Sequence, residues 1–205
     1  MYKFSYYTEQ DDQKVIDFMK QNAFAFITGI GEKYPVATQI PLEIKVKEGK
    51  IFLEGHLMRK TDHHLAFEKN NNVLALFTGP HCFVSASWYT TPNIGSTWNY
   101  ITVHAKGKII FTDEEGTLKA VKAVSDKYEG TTSEGAFNHL PKEYIDHMVK
   151  AIVGFSIEVE SIDNVFKLSQ NRDEASQKNI IEQLKKRGDY NSIAIAEEME
   201  HRLNG

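Results

Sequence analysis

Between Asp11 and Gln21 the apolar residues Val15, Ile16, Phe18 and Met19 recur at helical spacing. Two aspartates stand where the helix dipole favours negative charge, so a first helix is expected there. The period then changes. "AFAFITGI", "YPVATQIPLEIKV" and "KIFLEGHL" are rich in β-branched and aromatic residues and read as three strands, the last two joined tightly by "KEGK" and therefore antiparallel. "RKTDHHLAFEKNNN" interrupts the alternation with a short helix that Thr61 or Asp62 can cap and that the run Asn70 to Asn72 ends. "VLALFTG", "CFVSASWY" and "TWNYITVHAKGKIIF" restore strands. In the last of these, Trp98, Tyr100, Thr102 and His104 share one face, and Asn99, Ile101, Val103 and Ala105 the other. Six strands joined by short links predict a closed barrel.

From Thr112 the helical period returns. "TDEE" has the spacing of a capping box from Thr112 to Glu115, ahead of Leu118, Val121, Val124 and Tyr128. "TTSEGAFNHL" reads as a loop, Pro141 opens a short helix running through Met148, and "VGFSIEVESI" returns as a strand completing the sheet. From Asp173 to Arg187 an amphipathic helix is expected through Ile180, Ile181 and Leu184; it stops at Gly188, and another starts near Asn191. The expected class is α+β, mainly β. Residues 1–165 would form the barrel domain, and residues 166–205 a C-terminal helical extension on it.

Composition narrows the class. With 205 residues, 41% of them hydrophobic, the chain can bury one sizeable core. No apolar run approaches the roughly 18 residues of a membrane span, and the N-terminus lacks a basic flank and apolar core, so a cytoplasmic protein is expected. Cys82 is the single cysteine and reads as a small hydrophobe. A net charge of −4 argues against a chain-wide nucleic-acid footprint; a DNA contact would need a local basic face on a dimer. His56, His63, His64, His81 and His104 show no metal-site spacing, although a haem asks for only one such ligand.

Two stretches carry chemistry. In "GHLMRKTDHH" a strand ends, Arg59 and Lys60 follow, and a capped helix begins, an order that suits a phosphate as well as a plain solvated turn. In "GPHCFVSASWYTTPNIGSTWNY" the rings of Trp88, Tyr89, Trp98 and Tyr100 accompany the polar groups of Ser85, Ser87, Thr97 and Asn99. These can fill a core or an interface, or face a planar, heteroatom-rich ring. Together the stretches fit a phosphorylated flat cofactor. "FKLSQNR" adds Lys167, Ser169, Gln170 and Asn171, as helix caps or ligand contacts.

"GHLMR" (55–59), "FTGPHCFVSASWY" (77–89), "STWNYITVHAKG" (96–107) and "FKLSQNR" (166–172) occur in the order found in the PaiB-like family of FMN-binding proteins, which the chain resembles. That family is related to split-barrel flavoproteins similar to pyridoxamine phosphate oxidase. The resemblance implies a six-stranded split β-barrel, a homodimer with FMN at the subunit interface, and a role in redox chemistry or in negative transcriptional regulation. It assigns His56, Leu57, Arg59 and Lys60 to the FMN phosphate and ribityl chain, and Trp98, Asn99 and Tyr100 to the isoalloxazine. Lys167, Ser169 and Gln170 complete the implied site. Three departures stand out: Lys60-Thr61-Asp62 where the family has Asn-Pro after the arginine, and Ala86 and Ser96 where it has proline. Two other functions compete, a DNA-binding or partner-mediated regulator without enzymatic activity, and a haem-binding or haem-degrading split barrel.

Overall fold

The computed structural model describes residues 1–2 and 4–204. Its elements run α1 (Asp12–Gln21), β1 (Phe24–Gly29), β2 (Val36–Pro41), β3 (Glu43–Lys47), β4 (Lys50–Met58), α2 (Asp62–Lys69), β5 (Asn72–Val84) and β6 (Thr97–Phe111). They continue with α3 (Glu114–Tyr128), α4 (Lys142–Ala151), β7 (Ile152–Lys167), α5 (Glu174–Arg187) and α6 (Tyr190–Asn204). The strands form one sheet in the order β2-β1-β5-β6-β7-β4-β3. By compactness the chain divides into a first unit, Met1–Phe18, Thr78–Val103 and the residues from Asp163 onward, and a second unit, Met19–Phe77 and His104–Ile162.

The sheet has seven strands where the family resemblance implied six, and in the second unit one expected strand divides in two. "YPVATQIPLEIKV" is not one strand. Val36–Pro41 pairs with β1, and Glu43–Lys47 pairs with β4. The bend between them is held by the Leu42 N–H, which donates to Ala23 O at 2.9 Å, and by burial of the Leu42 side chain. β4 then pairs antiparallel with β7, His56 opposite Gly154 and Met58 opposite Ile152. Alternation along β4 sends Leu53 and Leu57 into the core, with Phe155 and Ile157 of β7 buried as well.

The cap of α3 is Asp113, one residue past the expected Thr112. Asp113 Oδ1 accepts from Gly116 N at 2.8 Å, whereas Thr112 N still donates to Gly154 O. Thr117, fully buried, ties the helix to the strand: its hydroxyl donates to Asp113 O and accepts from Gly154 N, both at 2.8 Å. α4 begins after Pro141 as expected, but continues to Ala151.

In the first unit, "VLALFTG" and "CFVSASWY" belong to one strand, β5, which runs through Gly79 and Pro80 and stops at Val84. Gly79 is there for space, not for a turn: a Cβ on it would lie 2.5 Å from Phe18 Cε2. β7 runs five residues beyond the expected "SI" end, to Lys167, because Val165 and Phe166 are buried. Asp173 caps α5 by accepting from Ser176 N at 2.8 Å, and Gly188 closes it in the left-handed region at φ 79°. Ile180, Leu184, Ile195, Ala196 and Met199 bury the facing stripes of α5 and α6. Among the described residues no helix is long and apolar enough to cross a membrane.

Where β6 and β7 approach in the second unit, a Cβ on Gly107 would meet Glu158 O at 2.2 Å. Backbone cannot yield as a flexible side chain can, so Gly107→Ala is expected to cost about 2–3 kcal/mol and to lower the melting temperature by several degrees in a calorimetric scan. Gly95→Ala, with open space around the added methyl, serves as control. Equal melting temperatures for the two variants would refute the close approach.

Candidate functional site

The turn after β4 lies in the second unit. Arg59 N–H donates to Ala151 O, and Arg59 Nε to Ile152 O at 2.8 Å, which pins the arginine to the start of β7. Its terminal nitrogens and the exposed Lys60 ammonium form no ion pair among the described residues. Lys60 has φ 64°, a left-handed conformation uncommon for a residue with a Cβ. The backbone donors of this turn are largely spent. Lys60 N–H donates to His64 Nδ1, His63 N–H to Asp62 Oδ1, and His64 N–H to Thr61 Oγ1. The Asp62 carboxylate already occupies the helix start, so the dipole contribution expected from sequence is taken internally. What remains for an anion is the Arg59 fork and the Lys60 ammonium.

His56 points away from the buried Leu57. Its Nδ1 is buried with no hydrogen-bond partner in the protein, and burial holds the imidazole below its usual pKa, so it is neutral at pH 7. An orphaned ring nitrogen on the strand that leads into two cations without ion pairs fits a ligand bearing both an anion and neutral polar atoms. Leu57 is itself core, and can reach a ligand only through its backbone.

In the first unit the structure brings Trp98, Asn99, Tyr100, Thr97, Lys167, Ser169 and Gln170 together, and sorts them by role. Asn99 is fully buried on the inner face of β6; its Oδ1 accepts from Ser169 Oγ at 3.0 Å, and its Nδ2 lies 3.5 Å from Met199 Sδ. Ser169 is buried too and sits at φ 60°. Gln170 serves its own loop, accepting from Leu168 N at 2.7 Å and donating to Phe166 O at 2.6 Å. These three side chains are therefore committed to shaping the loop. Trp98, 53% exposed, and Tyr100 lie on the opposite face.

Lys167 is half-buried. It donates to Thr97 Oγ1, and its ammonium stands 5.7 Å and 5.8 Å from the ring centroids of Tyr2 and Tyr7. Burial lowers its pKa, and the nearby Arg172 charge lowers it further. Burial raises the Tyr100 and Tyr7 hydroxyls. Arg172, absent from the residues assigned by sequence, holds its guanidinium carbon 4.6 Å from the Tyr89 ring centre. The signal was there, since Arg172 closes "FKLSQNR", but its neighbours Tyr7 and Tyr89 are distant in sequence. Ser85 and Ser87 bond to one another at 2.9 Å in the short 3-10 turn where β5 has ended.

Among the described residues no cluster of histidine, cysteine or carboxylate groups could hold a metal. Burial pushes the Cys82 thiol up to about 11.

Residues 1–161 match the model of a family described as "Putative FMN-binding domain". Over 204 residues, 99% of this chain and 98% of the relative, the sequence is 32% identical to the protease synthase and sporulation protein PAI 2 of Bacillus subtilis. Two solved structures share the fold. The FAD and heme binding protein from Mycobacterium smegmatis superposes with a TM-score of 0.59 at 13% identity, covering 78% of this chain and 73% of that one. The flavocytochrome Anf3 from Azotobacter vinelandii gives 0.57 at 12%, covering 81% and 72%. At those identities the likeness concerns architecture alone, and it agrees with the split-barrel class expected from sequence.

Two outcomes follow from the first unit. Ser169→Ala leaves Asn99 Oδ1 buried without its donor, an expected cost of about 1–3 kcal/mol read as a lower melting temperature; an unchanged melt would mean that this bond does not hold the loop. At pH 8 a thiol titrating near 11 is only about one-thousandth thiolate. Cys82 should therefore react with a disulfide reagent orders of magnitude faster after denaturation than before, and equal rates would refute its burial.

Proposed function

We propose that this chain, which belongs to the FMN-binding family whose model it matches over residues 1–161, is a flavoprotein that holds FMN as a homodimer. The observation that carries the reading is Arg59 and Lys60, without ion pairs among the described residues, directly after the strand that holds the orphaned His56 Nδ1. In this assignment Arg59 and Lys60 take the phosphate, the guanidinium as a fork and the ammonium as a point charge. His56 and the backbone at Leu57 meet the ribityl chain. Trp98 and Tyr100 present aromatic faces to the isoalloxazine, and Lys167 offers it a donor. Asn99, Ser169 and Gln170 act indirectly, by holding the segment that carries Lys167. Bound FMN supplies hydride or single-electron transfer, while the protein supplies position and electrostatics.

Energetics argue that the phosphate contacts need the ring contacts. A charge-assisted hydrogen bond contributes about 1.5–3 kcal/mol, and micromolar affinity needs about 8 kcal/mol. The dimer is supported by the aromatic patch on the first unit: Trp98 and the 41% exposed Phe83 meet edge to face at 6.1 Å, with His81 6.2 Å from Trp98. Exposed aromatics grouped this way are what an interface covers.

The name of the Bacillus relative supports a regulatory use of the flavin over metabolic turnover. A partner-mediated route is favoured over direct DNA binding, because the net charge is −4 and the α5–α6 pair mixes both signs, with Glu174, Glu182, Glu197, Glu198 and Glu200 among its residues.

Titrating the apo protein with FMN, followed by quenching of flavin fluorescence, tests the assignment. Wild type is expected to saturate in the micromolar range, and Arg59→Ala to bind about tenfold or more weakly. Absence of binding by the wild type would end the flavin reading. Equal affinity in the variant would end only the phosphate assignment.

A further inference from the structure

Among the described residues the "FKLSQNR" loop leaves two cations without counter-ions. Arg187 donates to Phe83 O and Ser192 Oγ, and Arg202 pairs with Glu9. Arg172 has no such partner: its backbone N–H donates to Ser169 O, but its guanidinium meets only the face of Tyr89 among the described residues. The adjacent carboxylate, Asp173, is engaged elsewhere, accepting from Ser176 N, Ser176 Oγ and Thr90 Oγ1. Lys167 has a single hydrogen bond, to a hydroxyl, and lies close enough to Arg172 for the like charges to oppose each other. Keeping two cations together without an anion is unfavourable, and such arrangements concentrate at binding sites. Around them stand tyrosines. Tyr2 and Tyr7 flank the ammonium, Tyr89 lies under the guanidinium, and the Tyr89 hydroxyl is buried with no partner.

We propose that Arg172 and Lys167, walled by Tyr7 and Tyr89, form an anion site in the first unit that receives the carboxylate of a small aromatic acid. The guanidinium fork matches a carboxylate in two parallel hydrogen bonds. Tyr2, half exposed beside the Lys167 ammonium, offers aromatic surface to the ring, and the Tyr89 hydroxyl supplies a further donor. Lys167 is shared with the proposed isoalloxazine contacts, so in setting this acid beside a flavin the inference rests on the flavoprotein reading. It adds the class of molecule the flavin would meet.

The test is calorimetric titration of the FMN-loaded protein with 4-hydroxybenzoate. Saturable binding is expected, weakened about tenfold or more both by Arg172→Gln and by substituting the neutral 4-hydroxybenzyl alcohol as probe. Arg172→Lys, which keeps the charge and loses the fork, should fall between wild type and Arg172→Gln, provided that all three melt at similar temperatures. Equal binding by Arg172→Gln, or equal binding of the alcohol, would overturn the site. Inorganic phosphate competing as well as the aromatic acid would overturn the aromatic part. Repeating the titration on the apo protein separates the two readings. Probe binding through Arg172 in a protein that takes no FMN would sink only the flavin, and FMN binding without the probe would sink only the acid.

Discussion

A buried amide must be hydrogen-bonded, and at Asn99 that requirement organises the first unit. Asn99 has no exposure, so its carbonyl needs a donor from the protein, and the Ser169 hydroxyl supplies it. To present that hydroxyl, Ser169 adopts a left-handed backbone conformation, and Gln170 bonds twice to its own loop. Strand alternation does the rest. With Asn99 turned inward, Trp98 and Tyr100 must face outward.

The same geometry separates residues that build the site from residues that can touch a ligand. In the first unit the side chains of Ser169 and Gln170 are spent internally, while the Lys167 ammonium holds one hydroxyl and the Arg172 guanidinium faces a ring. In the second unit the backbone donors at the start of α2 are spent on Thr61, Asp62 and His64, which leaves Arg59, Lys60 and His56. At both places backbone and amides are satisfied first, and Arg59, Lys60 and Arg172 keep no ion pair among the described residues. Uncompensated cations are stable only where water or an anion completes them.

Much of this was legible in the chain. Period, turn chemistry and caps predicted the helices and most strands because those signals are local: Asp173 and Gly188 bound α5 as their chemistry dictates. The two-residue period of a strand is enough to put Asn99 and Trp98 on opposite faces. The misreadings involved neighbours remote in sequence. "VLALFTG" and "CFVSASWY" look like two strands until β5 runs through both, with Gly79 making room for the Phe18 ring. "YPVATQIPLEIKV" looks like one strand until its halves pair with different partners.

By itself, then, the sequence determined the mainly β class, the order of the elements, the family and the residue types available for a phosphate and a flat ring, because periodicity and ordered motifs are properties of the chain alone. Tertiary structure decided which of those residues remain free. Whether an amide, a carboxylate or a guanidinium is available depends on the partner that folding brings to it, and Ser169 reaching Asn99 across seventy residues, or Asp173 turning to Ser176 and Thr90 instead of Arg172, is written in no local pattern.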